Sequence, residues 1–125
     1  MNGPVVRAVR GATSVEEDTP EAILESTAEL LSEVLERNDL TADDLISMIF
    51  TMTPDLRSEF PALAARHAGL TTVPLLCASE IPVPGSLGMC IRLLLHCTLP
   101  RDRGVHHVYL RKARKLRPDL AEDAQ

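Results

Sequence analysis

The strongest constraint on this chain is the way its apolar residues are parcelled out. Only the stretch from residue 19 to about residue 38 carries apolar residues at helical spacing over several turns: Ile23, Leu30, Leu31, Val34 and Leu35. Thr19 is placed to cap that helix, and Pro20 fits its first position. Most other apolar residues come in short runs cut by proline or glycine, and these read as strands over residues 5–13, 45–53, 73–79, 91–98 and 106–110. The first strand runs into a turn at Gly11. Residues 41–44 suit a brief capped turn, and residues 60–68 a second helix closed by Gly69. Pro82, Pro84 and Gly85 break the chain, and a short basic helical turn stops before Pro118. The order β-α-β-α-β-β-β predicts an α+β fold: a mixed sheet of about five strands with both main helices on one face. The sheet's other face stays apolar and needs a cover, for which a second copy of the chain is the natural candidate.

At 125 residues the chain is expected to form a single domain over 1–125, with a flexible tail after about residue 119. A net charge of −5 argues against a general nucleic-acid binder. Phe50, Phe60 and Tyr109 are too few aromatics for a base-stacking platform. No apolar run approaches the ~20 residues of a membrane span. Arg7 and Arg10 interrupt what a secretion signal would need as its apolar region. Cys77, Cys90 and Cys97 form an odd set without C-x-x-C spacing, which suggests free thiols in a reducing compartment and so a cytoplasmic protein. Charge is segregated: residues 14–44 hold eleven acids and one base, and residues 101–117 hold seven bases and one acid. Glu21, Glu25, Glu29 and Glu33 repeat every four residues, so that helix face must be solvated or meet something basic.

No ligand set for a metal converges. His106 and His107 are adjacent and point to opposite faces of a strand, as do Cys90 and Cys97. No phosphate loop, dinucleotide fingerprint or nucleophile elbow is present. What stands out is charge inside apolar strands. Arg10 closes the first, Arg92 interrupts the run from Cys90 to Leu95, and Glu80 ends the third strand. A charge so placed must be paired. Arg92 and Glu80 can satisfy one another, within the fold or across a subunit contact. Alternatively, Arg10 and Arg92 can receive a carboxylate-bearing ligand, for which the arginine fork is well shaped.

The segment Val6-Arg7-Ala8-Val9-Arg10-Gly11-Ala12-Thr13 resembles the N-terminal signature of the monofunctional chorismate mutases that trimerise into a pseudo-α/β barrel. The resemblance continues in order through Thr53-Pro54-Asp55-Leu56, Phe60-Pro61-Ala62, Ala65-Arg66 and Val73-Pro74. It then takes in Cys77 with Glu80, Gly85, Cys90-Ile91-Arg92, His107-Val108-Tyr109-Leu110 and Leu116-Arg117-Pro118-Asp119-Leu120. Each motif is short, but their order and spacing together span nearly the whole chain. This class is unrelated in fold to the all-helical chorismate mutases.

The resemblance implies a cytoplasmic homotrimer that isomerises chorismate to prephenate on the way to phenylalanine and tyrosine. It implies no cofactor, which fits a sequence whose spacing, charge and run lengths already argue for no metal, no nucleic acid and no membrane. It implies that Arg92 meets the breaking ether oxygen, that Arg10 binds a carboxylate beside it, and that Tyr109 donates to a carboxylate. Glu80 would accept from the ring hydroxyl, with Cys77 flanking that hydroxyl. Phe60, Ala62 and Arg66 would come from a neighbouring subunit, and Leu116 and Arg117 would cover the pocket. Leu63 stands where the family often carries a charge, Leu75-Leu76 where a polar residue can occur, and Ala8 where glycine is common. Two other readings use the same residues. One is a trimeric protein that binds a small aromatic or enolpyruvyl carboxylate without turnover. The other is a structural trimer in which Arg92 and Glu80 form an interface pair.

Overall fold

The computed structural model of the protein describes residues 3–116. Arg117 and the tail after about residue 119 lie outside the described residues. The elements are β1 (Val5–Ser14), α1 (Pro20–Arg37), a 3-10 turn (Ala42–Asp44), β2 (Leu45–Met52) and α2 (Ala62–His67). There follow β3 (Leu75–Ser79), β4 (Cys90–Leu99), β5 (Val108–Tyr109) and a second 3-10 turn (Arg111–Lys115). The five strands form one mixed sheet in the order β3-β2-β4-β1-β5. β4 runs antiparallel to both β1 and β2, whereas β3 and β5 lie parallel to their neighbours at the two edges.

The two helices pack on one face. Val9 of β1, Met48 and Phe50 of β2, and Leu93, Leu95 and Cys97 of β4 are buried there against Ile23, Leu30, Leu31 and Val34 of α1 and Ala62 and Ala65 of α2. The helix starts as its sequence dictates: Thr19 Oγ accepts the Ala22 N–H at 3.1 Å, with Pro20 in the first turn. Alternate residues of the same strands point the other way. Val6, Ala8, Arg10 and Arg92 are exposed on that second face, and Leu94 and His96 are partly so. At its β1–β5 edge, Ala113 and Leu116 pack on Ala12 and Tyr109.

The acidic stripe of α1 is answered in part by bases. Glu29 pairs with Arg111 at 3.1 Å and Glu33 with Arg37 at 3.4 Å. The segregated charge of the sequence is thereby brought together in space, since Arg111 belongs to the basic stretch.

Three expectations need correction. Gly11 makes no turn; it lies within β1, paired with Leu93 and Val108. Its bare Cα serves a close approach: a Cβ there would lie 3.1 Å from Leu30 Cδ1 and 3.2 Å from Val34 Cγ2. The third strand starts at Leu75, not at residue 73, because Pro74 has no N–H and gives the sheet only its carbonyl, which accepts the Met48 N–H at 3.0 Å. The last strand is only Val108–Tyr109. His106 is diverted to the end of α1, where its N–H donates to Asn38 Oδ1 at 2.7 Å and its carbonyl accepts from Asn38 Nδ2 at 2.9 Å. The His107 ring takes the Arg10 N–H at 3.0 Å, a donor that a longer β5 would use.

Candidate active site

The uncovered face of the sheet carries the site, and the strand register builds it in rows. Ala12 of β1 pairs with both Tyr109 of β5 and Arg92 of β4; Arg92 pairs with Thr51 of β2, and Thr51 with Ala78 of β3. The next row runs Arg10, Leu94, Ile49, Leu76. Over these rows lies a cleft of about 530 Å³ whose walls include Arg10, Ala12, Thr51, Arg92, Tyr109 and Leu116. Four residues singled out in the sequence (Arg10, Arg92, Tyr109 and Leu116) therefore share one cavity.

Glu80 adjoins it. Its backbone N–H donates to Met52 O at 2.8 Å, just past the end of β3. Its carboxylate Oε2 accepts from Thr51 Oγ at 2.6 Å and lies 3.2 Å from Arg92 Nε. The ion pair anticipated between Arg92 and Glu80 is thus present within one chain. Glu80's side chain is 18% exposed and Arg92's 49%, so the pair sits at the mouth of the cleft and is not sealed in the core. Thr51 and Arg92 form the wall between the large cleft and a smaller hollow of about 360 Å³ lined by Glu80, Ile81 and Val83.

Phe60, Ala62, Arg66 and Cys77 come together elsewhere. They line a separate hollow of about 320 Å³ between α2, its leading loop and β3. Phe60 is 67% exposed there, unusual for an aromatic with no visible cover. Asp18 ties the leading loop to the start of α1, accepting the Arg57 N–H at 2.9 Å and the Ser58 N–H at 3.0 Å. Those bonds, Arg57's first, hold its carboxyl below the usual carboxylate range. Within one chain, Cys77 and Glu80 line different hollows.

The cysteines are free. Burial pushes the Cys90 thiol up to about 11, against a weaker pull from Arg92, and raises that of Cys97 as well. Neither is poised as a nucleophile. Among the described residues no three His, Cys, Asp or Glu side chains gather as a metal site. Sequence reasoning missed Thr51 and Ile49 in the cleft wall. The available signal was their spacing on β2, which puts both on the face opposite Phe50.

A surface of this kind offers two arginines and a phenol over a partly apolar floor, with a carboxylate at the rim. It can hold a small dianion and present a cation to developing negative charge. Comparisons with known proteins agree with that chemistry. The family model for chorismate mutase type I matches residues 6–120. The chain is 56% identical over 124 residues to chorismate mutase AroH of Thermus thermophilus, covering 97% of this chain and 100% of that one. It is 42% identical over 120 residues to chorismate mutase AroH of Bacillus subtilis, covering 94% of each. A solved chorismate mutase from Clostridium thermocellum superposes with a TM-score of 0.83 at 46% identity, covering 87% of this chain and 98% of that one. By sequence and by fold, the chain belongs to the chorismate mutase type I family.

Proposed function

We propose that the protein rearranges chorismate to prephenate in a site completed where two copies meet in a homotrimer. The observation that carries this reading is the division of the site residues between two hollows of one chain. Arg10, Arg92, Tyr109 and Leu116 form one, and Phe60, Ala62, Arg66 and Cys77 form the other. Each hollow is open on one side; exposed Phe60 and Leu76 line the second, and exposed Val6 stands farther along the bare sheet face that holds the first. Docking the second hollow of one copy onto the first of its neighbour would bury that surface and bring Cys77 of one chain toward Glu80 of the other.

The reaction is an intramolecular rearrangement and needs no nucleophile. The protein's task is to bind a compact conformer of a dianion and to stabilise charge as the ether bond breaks. In this reading Arg10 and the Tyr109 hydroxyl take carboxylates. Arg92 turns the edge of its guanidinium not used on Glu80 toward the ether oxygen. Glu80 accepts from the ring hydroxyl, with Cys77 beside it. Phe60, Ala62 and Arg66 close the far wall, and Leu116 and Arg117 cover the opening. We place this activity in the cytoplasm, a reading supported by three free thiols.

Incubation with chorismate, followed by ultraviolet absorbance, tests the activity, and sedimentation equilibrium tests the assembly. The expected results are enzyme-dependent loss of chorismate and a mass about three times 13.7 kDa. Saturable binding without loss would replace catalysis by sensing. A fully active monomer would overturn the shared site.

A further inference from the structure

The Arg92–Glu80 pair has a third member that neither charge pattern nor family resemblance singled out. Thr51 stands on β2 directly across from Arg92, and its hydroxyl donates to Glu80 Oε2 at 2.6 Å. Arg92 approaches that same oxygen through Nε, at 3.2 Å. No hydrogen bond from the protein to Glu80 Oε1, and none from the two terminal guanidinium nitrogens of Arg92, is found among the described residues.

This geometry is not what an arginine and a carboxylate adopt when left to themselves. The strongest arrangement is bidentate, with two parallel N–H groups of the fork on the two carboxylate oxygens. That arrangement would occupy both oxygens of Glu80 and one full edge of Arg92. Glu80 follows the last residue of β3, and its side chain is long enough to swing into it. The Thr51 hydroxyl opposes the swing because it is fixed on the β2 backbone, one residue from the Met52 carbonyl that anchors the Glu80 N–H. The Thr51 hydrogen bond on Oε2 holds the carboxylate so that Arg92 meets that oxygen through Nε, at 3.2 Å.

We infer that Thr51 is a positioning residue: its hydroxyl keeps the Arg92–Glu80 contact on one oxygen, leaving Glu80 Oε1 and the outer edge of Arg92 for the ligand. The inference rests on the proposed reading of Arg92 and Glu80 as substrate-facing groups. Thr51 need not touch substrate to matter; it acts through its neighbours.

The test is a double-mutant cycle on the full-length protein. Thr51→Val keeps shape and strand preference while removing the donor, and Thr51→Ser restores a donor. Each is made in the native and in the Glu80→Ala background, with kcat, KM for chorismate and thermal melting measured on the same samples. Removal of a hydrogen bond to a charged group predicts a loss of about tenfold or more in kcat/KM for Thr51→Val. The loss should lie mainly in kcat, Thr51→Ser should recover most of it, and melting should be nearly unchanged. In the Glu80→Ala background, Thr51→Val should cost nothing further. An equal cost in both backgrounds, or a Thr51→Ser as impaired as Thr51→Val, would overturn the role of Thr51 while leaving the site intact. Full activity in Glu80→Ala alone would overturn the site reading itself, and this inference with it.

Discussion

The two faces of the sheet are built from the same strands and do opposite things. On the covered face, Val9, Phe50, Leu93 and Leu95 are sealed under α1 and α2. On the other face, one residue away along each strand, Arg10, Thr51, Arg92 and Leu94 line an open cleft. The difference comes only from the two-residue period of a strand, which lets a single run such as Cys90–Leu99 hold the fold together with one set of side chains and line the cleft with the other. Substitutions on the two faces should therefore separate stability from turnover.

The largest effect is expected on the covered side. Phe50 is fully buried, and Phe50→Ala should destabilise the fold by about 3–5 kcal/mol through lost burial and the cavity left behind. Denaturant unfolding at matched subunit concentration measures it. A variant as stable as the parent would show that the helices do not seal this face. Turnover per folded molecule should survive better than stability does.

The reverse is expected across the sheet at Arg92. Lysine keeps the charge but presents a single ammonium on a differently shaped stem. Loss of one donor aimed at developing charge costs about 10²–10³ in turnover, so Arg92→Lys should fall in that range while melting close to the parent. Turnover and melting on one sample decide the matter: early melting with turnover intact would make Arg92 a structural residue.

The smallest effect sharpens the comparison at its exception. Cys90 lies two residues from Arg92 on β4 yet is 1% exposed, and burial raises its thiol to about 11 from 9.0. A folded-state value above the unfolded one means that the unfolded chain loses this proton first. The stability associated with the neutral thiol is thus complete below about pH 9 and declines as pH rises toward 11. Cys90→Ala should flatten the slope of stability against pH in that window. An unchanged slope would mean that coverage does not control this thiol.

Much of this molecule was legible in the sequence because its signals are local. Thr19-Pro20 announced the start of α1 and does cap it. Charges within apolar strands announced that Arg92 and Glu80 needed partners, and they found one another. Legibility failed where a residue's role depends on something distant in the chain. Gly11 looked like a turn because its neighbours Leu30 and Val34 arrive from another element. The last strand was cut short by the amide of Asn38, which lies 68 residues from His106 in sequence. Thr51 was overlooked because threonine is an ordinary strand former, and only the pairing of β2 with β4 shows what its hydroxyl reaches. The proposed split of the site between two hollows rests on family resemblance and on nothing in the local pattern.

The sheet order carries a consequence for how the molecule comes into being. Both partners of β1 lie late in the chain, since it pairs with Cys90–Leu99 on one side and Val108–Tyr109 on the other. While the chain is being synthesised, the first strand therefore waits with both hydrogen-bonding edges unmet, as a template for chance pairing with other nascent chains. Closure joins residues as far apart as Val5 and Leu99, a distance that slows folding because the loop must be ordered before any contact rewards it. Arg10 enters the chain early, but the cleft it serves cannot exist until almost the last described residue has been made.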